Sequence, residues 1–241
     1  MDMIFPNMNS ESTPNATKSA IFAYVAPFAV FMLLLMLSQI LGKFVPPSDN
    51  VWIAKPEYLI YPLQTLICGA LLLYVWKLIE FRGIAYLSIT FAIGFFVFAI
   101  WTSPQFFHWA PPRRDGFNPE VFAPGSLSYG FTVFFRFFRL VIIVPIVEEL
   151  FWRGFLMRYL VNENFTKVPF GTFRWMSFLV TTVGFTLEHQ SSDYVVAAIC
   201  GIIFNGVACF TKSLGSCIFV HAVTNLFLGL YIMFTKQWGF W

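Results

Sequence analysis

Charge is what this sequence has least of: Asp, Glu, Lys and Arg make up only 11% of its 241 residues, and 58% are hydrophobic. Soluble domains average about 25% charged and 45–50% apolar residues, and a water-soluble core cannot absorb such a surplus. Other scarcities narrow the function classes. The four cysteines, Cys68, Cys200, Cys209 and Cys217, have neither metal-type CxxC spacing nor the density of a disulfide scaffold, so they read as small buried apolar residues. No basic stripe accompanies the 32 Phe and 8 Trp, which excludes a nucleic-acid stacking surface. The net charge of +3 is scattered over loops and helix ends and implies no electrostatic partner. Residues 1–19 are polar but lack the basic start of a secretory signal, so the first apolar run is expected to be a retained span.

What remains is a succession of apolar runs, and the mean hydropathy is +0.71. A run of about 20 apolar residues crosses the roughly 30 Å hydrocarbon layer as a helix. Such runs occupy 21–41, 58–79 and 83–101, joined by a Pro-containing loop (Pro46, Pro47, Pro56) and a short charged turn at Glu80 to Arg82. Seven Pro and Gly residues mark 102–127 as an extramembrane loop. The stretch 131–160 exceeds one span and reads as an interfacial helix leading into a membrane helix; runs at 175–187, 194–210 and 214–234 follow. The expectation is all-α: a polytopic membrane helix bundle of seven or eight transmembrane helices. It forms one integral membrane domain over 20–241 behind a polar tail at 1–19, with N-terminal helices and loop at 20–127 and a helical core at 128–241. Basic residues are shared evenly between successive loops and assign no orientation. No internal repeat of the transporter kind is present.

Charges inside such runs cost roughly 2.5–3.5 kcal/mol each at the bilayer centre and therefore mark function or compensation. Glu148 and Glu149 end the run 140–147, and Arg153 follows Glu149 at i, i+4 in the favourable order for a helical ion pair. Glu148 lies about 100° round the axis and is left available. His189 ends the short run Phe185-Thr-Leu-Glu188-His189, where it could sit at the mouth of a cavity. His221 and Asn225 share one helix face at i, i+4. Each has a plainer reading: an interfacial ion pair, an interface histidine, and interhelical hydrogen bonds that hold the bundle together. Arg136 and Arg139, among phenylalanines, read as a headgroup-snorkelling face, and His108 between Phe107 and Trp109 as interfacial.

Taken together, Glu148-Glu149-Leu-Phe-Trp-Arg153, Phe185-Thr-Leu-Glu-His189 and His221-Ala-Val-Thr-Asn225 resemble the three ordered motifs of the intramembrane proteases related to the CAAX-processing enzyme Rce1, the CPBP or Abi family. Arg153-Gly154-Phe155 and Thr211-Lys-Ser213-Leu214 continue the likeness, which covers roughly 145–226. Through its length and its Leu187-Glu188-His189 run the chain is also similar to the exosortase-associated CAAX protease-related subgroup. The resemblance implies an endopeptidase for a membrane-anchored substrate, prenylated or not, with membrane lipid and no nucleic acid as its other partner. It implies a multi-pass place in the membrane, the inner membrane if the source is bacterial. Glu148 and His189 would activate a water, His221 and Asn225 would hold the oxyanion, and Glu149 would pair with Arg153 or orient water and substrate. Glu148, His189 and His221 could ligate zinc, yet no His-Glu-x-x-His motif occurs, so hydrolysis without a metal cofactor is the expectation. Two further function classes fit the intramembrane carboxylates: a proton-coupled transporter using them as a relay, and a non-catalytic scaffold or immunity protein of the same fold.

Overall fold

No water reaches the hydrocarbon layer to satisfy bare backbone, so apolar runs of this length close their hydrogen bonds within themselves. The computed structural model is helical accordingly. It describes residues 14–46 and 48–241, and among these there is no strand. Residues 1–13, most of the expected polar tail, and Pro47 in the first loop lie outside the described residues.

Seven main helices carry the chain: α1 (Pro14–Gly42), α2 (Glu57–Val75), α3 (Leu87–Phe106), α4 (Leu127–Tyr159), α5 (Trp175–Glu188), α6 (Tyr194–Thr211) and α7 (Leu214–Thr235). Six of them, all but α5, are long and apolar enough to cross a membrane. The 14 residues of α5 span only about 21 Å, short of the roughly 30 Å hydrocarbon layer. Two sequence boundaries shift. Helix α1 starts at Pro14, within the polar stretch, and α3 continues through Pro104 to Phe106, so the Pro-rich loop begins five residues later than its composition suggests.

The stretch 131–160 is one helix and not an interfacial helix followed by a span. Helix α4 stays continuous for 33 residues by widening twice, at Arg139–Ile143 and Leu150–Leu156, into π turns. In the first, the Val144 N–H reaches the Arg139 carbonyl five residues back. The same pattern would next join residue 145 to the Leu140 carbonyl, but Pro145 has no N–H to give. A backbone acceptor is thereby freed inside the bundle, between the two widened turns that flank Glu148 and Glu149.

Helices α6 and α7 turn back on each other within two residues. Lys212, in the left-handed region at φ 52°, ends α6, and the Ser213 hydroxyl accepts from the Ser216 N–H to start α7. Helix α3 lies close against α7 because Gly94 presents no side chain: a Cβ there would stand 2.7 Å from the Val220 carbonyl oxygen. Thr224 Oγ1 takes advantage of the approach and donates to the Gly94 carbonyl at 2.9 Å.

Gly184 on α5 does the same for α4, where an added Cβ would meet the Trp152 ring at 2.7 Å. Gly184→Ala is therefore expected to force the two helices apart and destabilise the protein by about 1–3 kcal/mol, despite alanine's better helix propensity. Thermal unfolding of the purified protein in detergent measures this effect.

Candidate active site

Each polar intrusion of the sequence is positioned by its own helix. Glu148, Glu149 and Arg153 come from α4 and its second π turn, His189 is the residue that ends α5, and His221 and Asn225 are one turn apart on α7. All but His189 are buried.

Glu148, His189, His221 and Asn225 line one cavity of about 160 Å³ between α3, α4, α5, α6 and α7. Its other walls are mostly apolar, with Trp101, Phe185 and Phe204 prominent. A single water needs only about 10–15 Å³ of such volume, so the cavity has room for several waters or for part of a peptide. Glu148 forms no hydrogen bond or ion pair among the described residues, so its carboxylate is uncommitted. Leu140, Val144 and Glu148, at i, i+4 and i+8 of α4, face the cavity together.

Glu149 stands behind this wall. Its Oε1 accepts from Arg153 Nη1 at 3.0 Å and from His221 Nδ1 at 2.9 Å, and its side chain is fully buried. The i, i+4 pair expected from the sequence is present, and the carboxylate also reaches α7. Arg153 continues the network: its Nε donates to Asn205 Oδ1 at 2.9 Å, and Asn205 Nδ2 donates to the Phe178 carbonyl and to Thr182 Oγ1. The guanidinium lies 4.8 Å from the Phe185 ring centre and 5.3 Å from that of Phe204. Arg153 thus ties α4 to α6 and, through Asn205, to α5.

The two histidines are fixed through the same ring atom. His189 Nδ1 lies 2.8 Å from the Phe185 carbonyl oxygen. A carbonyl can only accept, so Nδ1 carries the proton and Nε2 is the free, basic nitrogen. In His221 the Nδ1 is held by Glu149, and Nε2 is again the nitrogen left over. The His221 ring stacks on Phe204 with centres 5.1 Å apart, and His189 packs against Trp101 and Phe185. Asn225 Nδ2 donates to the Leu140 carbonyl at 2.9 Å, the acceptor that Pro145 leaves free. That bond uses one of its two N–H groups.

No group of three or more His, Cys, Asp or Glu side chains that could hold a metal ion occurs among the described residues. Glu149 holds Nδ1 of His221, so Nε2 is the one nitrogen that this ring presents to the cavity.

The sequence reading of Arg136 and Arg139 is overturned. They do not snorkel to headgroups: they are 4% and 7% exposed and point into the bundle. Arg139 Nε donates to Gln64 Oε1 at 2.8 Å, and both guanidiniums lie over the Tyr61 ring. Aromatic faces and an amide, not lipid phosphates, surround them, because α2 closes over this side of α4. His108, by contrast, is exposed at the end of α3 between exposed Phe107 and Trp109. Cys68, Cys200 and Cys217 are buried, and all four thiols are free.

Motif spacing does not single out Asn205, Phe204, Trp152 or Glu188. Trp152 Nε1 donates to Glu188 Oε2 at 2.9 Å and so holds the end of α5 beside the cavity. Asn205 was detectable in principle, as an amide placed midway along an otherwise apolar span.

Residues 130–227 match the family model described as type II CAAX prenyl endopeptidase Rce1-like. That segment takes in α4 from its first turn to the Asn225 turn of α7, and so contains Glu148, Glu149, Arg153, His189, Asn205, His221 and Asn225, whereas Trp101 of the cavity wall lies outside it. No curated protein and no solved structure matches the chain.

Proposed function

We propose a hydrolytic mechanism for a chain that belongs, through residues 130–227, to the Rce1-like CAAX protease family. Together with its six candidate spans, that membership makes it an integral multi-pass membrane protease acting on membrane-anchored substrates. The observation that carries the finer reading is the shared cavity. It brings one uncommitted carboxylate, one imidazole with a basic Nε2 and two further polar side chains to the same cavity of about 160 Å³.

In this reading Glu148 and His189 Nε2 accept hydrogen bonds from a water, and Glu148 takes its proton as the oxygen attacks the substrate's scissile carbonyl. The oxyanion that forms is held by the second N–H of Asn225 and by His221. His221 can donate from Nε2 only as the doubly protonated ring, since its Nδ1 proton faces Glu149. The Glu149 carboxylate is the countercharge on that far side, which makes Glu149 a positioning residue rather than a catalytic one. Collapse of the tetrahedral intermediate breaks the C–N bond, and the proton held by Glu148 passes to the leaving amine. No step is assigned to a metal.

The test is cleavage of a farnesylated peptide ending in a Cys-aliphatic-aliphatic-X tail by the purified protein in liposomes, with products identified by mass spectrometry. His189→Ala is expected to lower kcat by about 10²–10⁴-fold. Asn225→Ala is expected to lower it by about 10²–10³-fold with little change in KM. Full activity in both variants would remove these residues from the mechanism. Absence of any product, together with pH-dependent solute flux, would favour the proton-coupled transporter.

A further inference from the structure

Arg136 and Arg139 are buried charges that the mechanism does not use. They line a second cavity of about 380 Å³, which shares Trp101, His189 and Phe240 with the first as common walls. Arg113, from the Pro-rich loop, also lines it.

The charges in this chamber do not balance. Three guanidiniums face two acids here: Asp193 is ion-paired with Arg113, and Glu188 accepts from the neutral Trp152 indole and forms no ion pair with Arg136 or Arg139. Among the described residues, Arg136 and Arg139 form no ion pair with any carboxylate. Arg139 has only the neutral Gln64 at its Nε, and Nε and Nη1 of Arg136 are buried without any hydrogen-bond partner. An isolated buried guanidinium is expensive, and aromatic faces offset only part of that cost. Two such groups, one turn apart and aimed into one cavity, form a preorganised receptor for an anion with two acceptor oxygens.

We infer that this chamber binds the free C-terminal carboxylate of the peptide substrate, with Arg136 and Arg139 as specificity-determining residues. The inference rests on the protease reading of the adjoining cavity. Its geometry is consistent with that reading. Arg139 precedes Glu148 by nine residues of α4, which is about 13 Å of helix rise. An extended peptide covers about 3.3 Å per residue, so a carboxylate three to four residues beyond the scissile bond would reach the arginines.

The experiment compares the farnesylated peptide with a C-terminal acid against the same peptide as a C-terminal amide. The wild-type protein in nanodiscs of zwitterionic lipid is expected to cleave the acid about 10²-fold more efficiently in kcat/KM. Arg136→Gln and Arg139→Gln should lower cleavage of the acid toward that of the amide, so that the acid-to-amide ratio in kcat/KM falls toward one. Should either variant fail to fold, Arg139→Lys and the wild-type comparison still decide, because the wild type alone must distinguish acid from amide. Equal cleavage of both forms by the wild type would overturn the inference and leave the protease reading standing. Failure to cleave either form would remove both. If activity rose on adding phosphatidylglycerol while acid and amide remained equivalent, the chamber would be a lipid-headgroup site and the inference would be wrong.

Discussion

Glu148→Gln is expected to abolish peptide cleavage, by about 10³-fold or more in kcat, while the protein inserts, folds and unfolds thermally as the wild type does or at a slightly higher temperature. The reason for the first half is the proton: the glutamine side chain has the same shape but cannot accept one from water, and general-base contributions are typically 10²–10⁴-fold. The reason for the second is that Glu148 makes no hydrogen bond or ion pair among the described residues. A buried carboxylate with no partner costs stability, and a neutral amide in its place relieves that cost. Single-turnover cleavage assays and thermal unfolding of the same preparation measure the two halves. A variant that kept wild-type kcat, or one that lost its fold, would remove Glu148 from its proposed role.

Its neighbour should behave in the opposite way. Glu149→Ala is expected to destabilise the protein by about 3–5 kcal/mol, because it leaves the fully buried Arg153 without its carboxylate partner. For a chain of this size that corresponds to a fall of roughly 10 °C in Tm. His221 also loses the acceptor that orients its ring, so activity falls as well. The diagnostic comparison is the double variant Glu149→Leu with Arg153→Met, which removes both charges together. It should recover much of the lost stability while remaining inactive, since replacing a buried ion pair by apolar side chains is often nearly neutral. If Glu149→Ala melted with the wild type, the network from His221 through Glu149 and Arg153 to Asn205 would not be holding the helices together.

Adjacent glutamates with opposite expected phenotypes show how far spacing alone can be read. The i, i+4 relation of Glu149 and Arg153 predicts a pair within one helix, and the pair is there at 3.0 Å. It does not predict that the same Oε1 also holds His221, because that partner is 72 residues away on another helix. Likewise the sequence places His221 and Asn225 on one face, yet only the packed structure shows Asn225 donating to the Leu140 carbonyl. The reason for that bond was in the sequence all along, in Pro145, but it becomes meaningful only once α4 is seen to widen there.

The arginines show the converse. Among phenylalanines at i, i+3, Arg136 and Arg139 have the pattern of a lipid-facing stripe, and an apolar neighbourhood looks alike whether it is lipid or protein. Helix α2 decides the matter by covering that side with Tyr61 and Gln64.

By itself, the sequence determined the solvent, the helical class, the family motifs and the identity of the polar residues worth following. Those properties depend on composition and on spacings within single helices, where period and burial cost act locally. The tertiary structure alone decided which of those residues share a cavity, which stand behind it, and which arginines face inward. Those are contacts between helices, set by close approaches such as Gly94 against Val220 and Gly184 against Trp152, and no local periodicity encodes them.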